Sequence, residues 1–232
     1  MYKRYAVIVA GGVGRRMGGA LPKQYLLLDG IPVLMHTIAK FSNCGNVEVV
    51  VVLHEEMQDY WRQLCKQYAF TKSHHIVSGG ESRFQSVKCG VDFVLSNVDN
   101  VEECIVAIHD AARPLISTAM IQQAFLETAE KKATIVATIS VNSVREGDKA
   151  QNKTKDRSKI WMVQTPQTFT ADILQQAFLQ KESPAFTDDA AVVEKLGYPI
   201  HIIEGDYRNI KITYPEDIAI AQLYMDAGKQ NS

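Results

Sequence analysis

AVIVAGGVGRRMGGALPKQY, residues 6–25, passes from an unbroken apolar run into a glycine-rich, basic loop closed by Pro22 and Lys23. The apolar run reads as a buried strand. Glycines at 11, 12, 14, 18 and 19 let backbone N–H groups approach a ligand with no Cβ in the way. Arg15, Arg16 and Lys23 add positive charge. A strand that opens into such a loop is how α/β sheets hold phosphates at the carboxyl ends of their strands. The stretch is not a Walker A motif, because Lys23 follows proline and lacks the G-K-[ST] context. It is a poor dinucleotide fingerprint too, with Met17 where a third glycine belongs. Two arginines and a lysine suit a triphosphate better than a single pyrophosphate bridge.

Working outward, β-branched runs alternate with helical patterns. Strands are expected at 5–9, 47–53, 74–77, 104–110 and 133–139, and helices at 32–41, 55–68, 82–97 and 118–132. "VEVVVVL" (47–53) is almost continuously apolar, as in a parallel strand covered on both faces. This βαβα rhythm predicts an α/β fold with a Rossmann-like, doubly wound, mostly parallel sheet. The rhythm breaks at 140–163, which is polar and charged at its centre. So long a structureless loop is unusual inside a compact domain, so a projecting β-ribbon is expected there. Helices then resume at 171–180, 188–197 and 215–228, with strands at 200–205 and 209–213. The expected organisation is one domain over 1–232 with an arm at about 140–163.

Bulk composition narrows the partners. With 232 residues, 46% hydrophobic and 22% charged, the chain can bury a real core. A net charge of -1 gives no global attraction for nucleic acid or an anionic membrane, so anion binding must come from local clusters. The four cysteines form no C-x-x-C pair, and the first apolar run is too short for a signal peptide or a membrane span. The expected setting is cytoplasmic.

Further segments fall at predicted strand ends. "HDAARP" (109–114) places Asp110 to hold a ribose hydroxyl, a metal or a nearby cation, and His109 reads as structural. Arg113 is a candidate phosphate or inter-subunit contact. "SGGESRFQS" (78–86) offers close backbone approach at Gly79 and Gly80 and a hydroxyl at Ser86, although Ser78 or Glu81 could simply cap the next helix. "FTDDAAVVE" opens a helix with Thr187, Asp188 and Asp189. Lys211, between Ile210 and Ile212 in an expected strand, points away from both and calls for an anion.

Together these segments resemble a family. The first stretch is similar to the G-x-G-x-R-M-x-x-x-x-P-K signature of nucleotidyltransferases that activate sugar phosphates. "GGESRFQSV", "HDAARP", "QTPQ", "TDDA" and "NIKIT.PED" narrow the likeness to the 2-C-methyl-D-erythritol 4-phosphate cytidylyltransferases of the non-mevalonate isoprenoid pathway, from Ala6 to about Ala221.

The resemblance implies transfer of CMP from CTP to a sugar-alcohol phosphate. It implies Mg²⁺ or another divalent cation bridged by the CTP phosphates, with Asp110 a possible metal contact and no certain protein ligand. It implies that Arg16 and Lys23 act at the triphosphate, and Lys211 near the α-phosphate and the acceptor phosphate. Ala10, Gly11, Gly80 and Ser86 match positions enclosing the cytosine, Gly12 and Gly14 belong to the nucleotide loop, and Asp110 lies near the ribose. Arg113, Ser143, Arg157, Thr165 and Thr187 match acceptor-side positions. Ser143 and Arg157 fall in the arm, which in this family clasps a second subunit and so implies a homodimer. The arm departs from the family's Asp-Thr-x-Lys, reading Asn142-Ser143-Val144-Arg145. The alternative on the same scaffold is a ribitol- or ribulose-5-phosphate cytidylyltransferase. An NAD-dependent oxidoreductase fits less well, since the second strand ends at His54 rather than at an acidic residue.

Overall fold

The computed structural model describes residues 2–11 and 21–230. A seven-stranded sheet forms its centre. The first half supplies β1 (Lys3–Val9), a short hairpin of β2 (Leu27–Leu28) and β3 (Ile31–Pro32), α1 (Val33–Ser42), β4 (Val47–Leu53), α2 (Gln58–Gln67), β5 (His75–Ser78), α3 (Arg83–Leu95) and β6 (Cys104–Asp110). The second half supplies α4 (Thr118–Lys131), β7 (Ala133–Ile139), β8 (Val144–Gly147), β9 (Asn152–Lys155), β10 (Trp161–Thr170), α5 (Ala171–Ala177), α6 (Asp189–Glu194), β11 (His201–Glu204) and α7 (Glu216–Gln230). The sheet order is β11-β7-β10-β6-β1-β4-β5. Every pairing is parallel except those of β10, which runs antiparallel to both β6 and β7.

Period-2 alternation explains the layering. Tyr5, Val7, Val50, Val52, Val106 and Ile108 face one core with α3 and α5. Ala6, Ile8, Val49, Val51, Ile105 and Ala107 face the other with α1, α2 and α4. Both faces are covered, as the almost continuously apolar run of β4 requires. A third, smaller cluster matters more for function. Leu28, Val33, Ala112, Ile212 and Ala221 pack together with Leu115, Ile218 and Met225. It joins the hairpin that follows Lys23, the turn that follows β6, and the segment carrying Lys211.

Two expectations need correction, and residues 164–170 add part of a strand that is not among those expected. The ribbon is real but shorter than 140–163: β8 and β9 pair over Val144–Lys155, while Trp161–Val163 already pair with β7 as part of the main sheet. The "QTPQTF" run lies inside β10. Its polar residues Gln164, Thr165, Gln167, Thr168 and Thr170 are buried, so periodicity of apolar residues cannot reveal this strand. The register shifts between Val163 and Gln167, around a cis Thr165–Pro166 peptide. Residues 209–213 form no strand. They are held instead by the Ile212 N–H donating to the Ala112 carbonyl at 2.8 Å.

Helix α3 lies close on the sheet because Gly90 has no side chain. A Cβ there would sit 2.5 Å from Val7 Cγ1 and 2.9 Å from Val52 Cγ2, both on fully buried side chains. Alanine favours a helix over glycine by about 1 kcal/mol, but overpacking a closed core costs more. Gly90→Ala is expected to destabilise the protein by about 1–3 kcal/mol. Urea unfolding checks this, and an unchanged or raised midpoint contradicts it.

Candidate active site

The carboxyl ends of β1, β4 and β6 open on one cavity of about 660 Å³. Its walls include Ala10 and Gly11 after β1, Lys23 and Gln24 beyond the glycine loop, His54 after β4, the Gly80–Ser86 turn, Asp110 at the end of β6, and Lys211. Parallel strands end here together, the usual place for a ligand in an α/β sheet.

One end of the cavity is built by close backbone approach. The Gly79 N–H donates to the Leu53 carbonyl at 2.7 Å, and the Ala10 N–H to the Val52 carbonyl at 2.9 Å. A Cβ at Gly79 would lie 2.9 Å from the Ser86 hydroxyl, and one at Gly11 would lie 3.3 Å from it. The lack of a Cβ at Gly79 thus lets these loops meet closely over Ser86, with Gly11 also in near contact. The Ser86 hydroxyl donates to the Gly80 carbonyl at 3.3 Å. Ser82 caps α3 by accepting the Gln85 N–H at 3.1 Å. Buried Gln24 donates to the Ala10 carbonyl at 2.6 Å, tying the two ends of the glycine loop to each other.

The other end is an ionic hub. The Asp110 carboxylate is only 12% exposed. Its Oδ2 takes Lys211 Nζ at 2.8 Å and faces Arg113 Nε at 3.6 Å, and its Oδ1 faces Arg83 Nη2 at 3.8 Å. Burial alone would raise its pKa, but the opposing charges of Lys211, Arg83 and Arg113 win and hold it well below the usual carboxylate range. Arg83 places its fork on Asp189, with both N–O distances 2.7 Å. Burial pushes Asp189 upward and Arg83 opposes the shift.

Behind the hub, a set of directed hydrogen bonds joins Arg113, Asn209, Thr165 and His109. Arg113 Nη1 donates to the Asn209 carbonyl at 2.8 Å. Asn209 Nδ2 donates to Gln164 Oε1 and to the Thr165 carbonyl, both at 3.0 Å. The Asp110 N–H donates to Thr165 Oγ1 at 3.1 Å. His109 Nε2 lies 3.1 Å from the Arg113 carbonyl, which can only accept, so Nε2 carries the proton. His109 Nδ1 is therefore the acceptor for the Thr165 hydroxyl at 3.1 Å. The network is complete only with a neutral imidazole.

Of the expected site residues, Ala10, Gly11, Lys23, Gly80, Ser86, Asp110 and Lys211 converge on the cavity. Arg113 and Thr165 lie just behind it, Arg113 through Nη1 on the Asn209 carbonyl and Thr165 through its hydroxyl on Asp110 and His109. Thr187 is exposed just ahead of α6. Ser143 and Arg157 are exposed at the base of the ribbon, where Arg157 Nη1 donates to the Val141 carbonyl at 2.7 Å, and this chain does not bring them to the cavity. Gly12, Gly14, Arg15 and Arg16 lie outside the described residues. Arg83, Gln24 and Asn209 are not among the expected site residues, and Asp189 is expected only as part of a helix-opening segment. Arg83 and Asp189 stand in quoted motifs, but they are 106 residues apart and nothing local pairs them. Among the described residues no group of three His, Cys, Asp or Glu converges to hold a metal ion.

Comparison with known proteins agrees with this geometry. Residues 5–227 match the family model described as 2-C-methyl-D-erythritol 4-phosphate cytidylyltransferase. A protein of that name from Bacteroides fragilis is 44% identical over 219 residues, covering 94% of this chain and 97% of the relative. One from Azobacteroides pseudotrichonymphae is 43% identical over 230 residues, covering 97% and 100%. A crystal structure of a 4-diphosphocytidyl-2C-methyl-D-erythritol synthase superposes with a TM-score of 0.80 at 29% identity, covering 97% of this chain and 100% of that one. The Anaerococcus prevotii structure of the same description gives 0.80 at 26% identity, covering 97% and 96%.

Burial lowers the His109 pKa to about 4. The unfolded chain takes up a proton on this residue below about pH 6.5, whereas the folded imidazole refuses it until about pH 4. The unfolded state thus binds more protons in that window, and stability falls as pH falls through it. The His109 contribution to that loss is expected to reach about 3 kcal/mol. Denaturant unfolding from pH 7 to pH 4 measures it, with His109→Gln expected to flatten the slope. An identical slope in the variant would remove His109 from the account.

Proposed function

The chain belongs to the 2-C-methyl-D-erythritol 4-phosphate cytidylyltransferase family, and we propose that the cavity between the Gly80–Ser86 turn and the Asp110–Lys211 pair is where it works. The enzyme transfers CMP from CTP to 2-C-methyl-D-erythritol 4-phosphate, forming 4-diphosphocytidyl-2-C-methyl-D-erythritol and pyrophosphate in non-mevalonate isoprenoid biosynthesis. The convergence of Lys23, Arg83 and Lys211 on one cavity beside a glycine-built pocket is the observation that carries the assignment of the site.

An oxygen of the acceptor phosphate forms a bond to the α-phosphorus of CTP as the bond from that phosphorus to the bridging oxygen breaks. Pyrophosphate leaves with the electron pair. The nucleophile is already an anion, so no general base is required. The obstacle is electrostatic: roughly two negative charges must approach roughly four. Positioning and fixed positive charge are therefore the enzyme's main contribution. In our reading Lys211, aimed by Asp110, receives the acceptor phosphate and the attacked phosphorus. Lys23 and Arg16 serve the triphosphate. Ala10, Gly11, Gly80 and Ser86 enclose the cytosine, with Gly12 and Gly14 in the same loop, and Asp110 lies beside the ribose. Arg113 and Thr165 serve the acceptor side by holding Asp110 and the Lys211 segment, and Thr187 borders it.

Among the described residues no group of carboxylates, histidines or cysteines makes a metal cage, and Asp110 is occupied by cations. Mg²⁺ would thus be carried on the phosphates of CTP, where a divalent cation supplies charge neutralisation at the phosphoryl oxygens. We assign the β8–β9 ribbon as the arm that clasps a second copy and brings Ser143 and Arg157 to the partner's acceptor side, which makes the working unit a homodimer. No helix among the described residues is long and apolar enough to cross a membrane. Cys44, Cys65, Cys89 and Cys104 are free. Free thiols suit a reducing compartment, and we place the enzyme in the cytoplasm, with neither nucleic acid nor membrane as a partner.

Pyrophosphate release with each of four NTPs against a panel of sugar-alcohol phosphates tests the site and the metal. Turnover is expected with CTP and methylerythritol phosphate, and its loss on chelation of divalent cations. Lys23→Ala and Lys211→Ala are each expected to lose about 10²–10³ in kcat while remaining folded. Native-like turnover in either variant removes that lysine from the mechanism. Deletion of 144–156 is expected to give monomers in sedimentation, and an intact dimer would refute the clasp.

A further inference from the structure

The first turn of α3 grips a distant segment with three consecutive side chains. Arg83 forks onto Asp189 at 2.7 Å through both nitrogens. Phe84 packs against Phe178 and stacks on Phe186, with ring centroids 5.0 and 5.8 Å apart. Gln85 Nε2 donates to Glu182 Oε2 at 3.1 Å. Residues 178–189 are thus docked on the helix whose preceding turn forms the nucleotide end of the cavity. The far end of the segment is fixed as well. Asp188 Oδ1 accepts the Ala191 N–H, Asp188 Oδ2 accepts Gln167 Nε2, and Gln167 Oε1 accepts the Ala190 N–H. Asp189 is almost wholly buried, so its carboxylate cannot follow Arg83 if the guanidinium moves.

We infer that Arg83 is a positioning residue for the transfer: its fork on Asp189 fixes how its other edge meets Asp110, and through Asp110 where Lys211 is held. The inference rests on the assignment of Lys211 to the acceptor and α-phosphates. Three cations, Arg83, Arg113 and Lys211, face one Asp110 carboxylate. Asp189 engages both terminal nitrogens of Arg83 and keeps Nη2 at 3.8 Å from Asp110 Oδ1. This leaves Oδ2 for Lys211 at 2.8 Å. Without Asp189's charge, Arg83 closes onto Asp110 and competes with Lys211 for it. A lysine at position 83 keeps the charge but cannot span two carboxylate oxygens in one plane. The geometry of the fork, not the charge alone, is what the site uses.

Steady-state pyrophosphate release on Asp189→Asn, Arg83→Lys and the double variant tests this, at a temperature well below each measured Tm. Each single variant is expected to lose about tenfold to a hundredfold in kcat, the scale of a small misplacement of a reacting group. The KM for CTP is expected to stay within about threefold, because Gly79, Ser82 and Ser86 hold the nucleotide end independently. The double variant is expected to be no worse than the poorer single one, since both remove the same fork. A loss of stability alone would lower Tm and leave kcat per folded molecule unchanged, which would overturn the inference. Independent, multiplicative losses would overturn it too, as would full activity in Arg83→Lys. If Asp189→Asn does not fold, Arg83→Lys decides, because the Arg83 side chain is 34% exposed. Wild type and Lys211→Ala run alongside. A fully active Lys211→Ala would defeat the underlying assignment and the inference with it, whereas an inactive Lys211→Ala beside wild-type fork variants would defeat only the inference.

Discussion

One carboxylate organises the chemistry-bearing end of this molecule. Asp110 closes β6, is nearly buried, and faces three cations within 4 Å. A lone buried carboxylate would be strongly destabilising, and so would three crowded cations without it. Neither can be removed without leaving the other uncompensated. The geometry follows from this constraint: Lys211 must reach in from the last quarter of the chain, Arg83 from the start of α3, and Arg113 from the turn after β6. A site that handles several phosphates needs positive charge kept close and oriented before the substrate arrives, and a shared counter-ion does that.

The sheet supplies the rigidity behind the hub. β10 runs antiparallel between β6 and β7 and carries its polar residues into the interior. Gln164, Thr165 and Gln167 are used there. Thr165 accepts the Asp110 N–H, Gln164 and the Thr165 carbonyl take both protons of Asn209, and Gln167 pins the start of α6. Buried polar networks of this kind specify one arrangement, because a half-satisfied alternative leaves donors without partners in a low dielectric. The small apolar cluster of Leu28, Ala112, Ile212 and Ala221 completes the frame by packing the chain beside both lysines against α7. The site is thus held from behind by hydrogen bonds and from below by packing.

The sequence by itself determined the class of fold and much of the lining of the candidate site. Almost continuously apolar strands such as 47–53 are expected to be buried on both faces, and a glycine-rich basic loop at a strand end points to phosphate binding. Ala10, Gly11, Lys23, Gly80, Ser86, Asp110 and Lys211 were legible because each stands at a strand end or in a short motif, where local rules apply. The tertiary structure alone decided the rest. It placed β10 inside the sheet, which polar periodicity could not announce. It shortened the ribbon and turned 209–213 from an expected strand into a segment hung on Ala112. It paired Arg83 with Asp189 and gave Lys211 its anion, Asp110. The physical reason is the same in each case: an ion pair or a buried hydrogen bond between residues far apart in the chain has no local signature, and exists only once the sheet has brought its strand ends together.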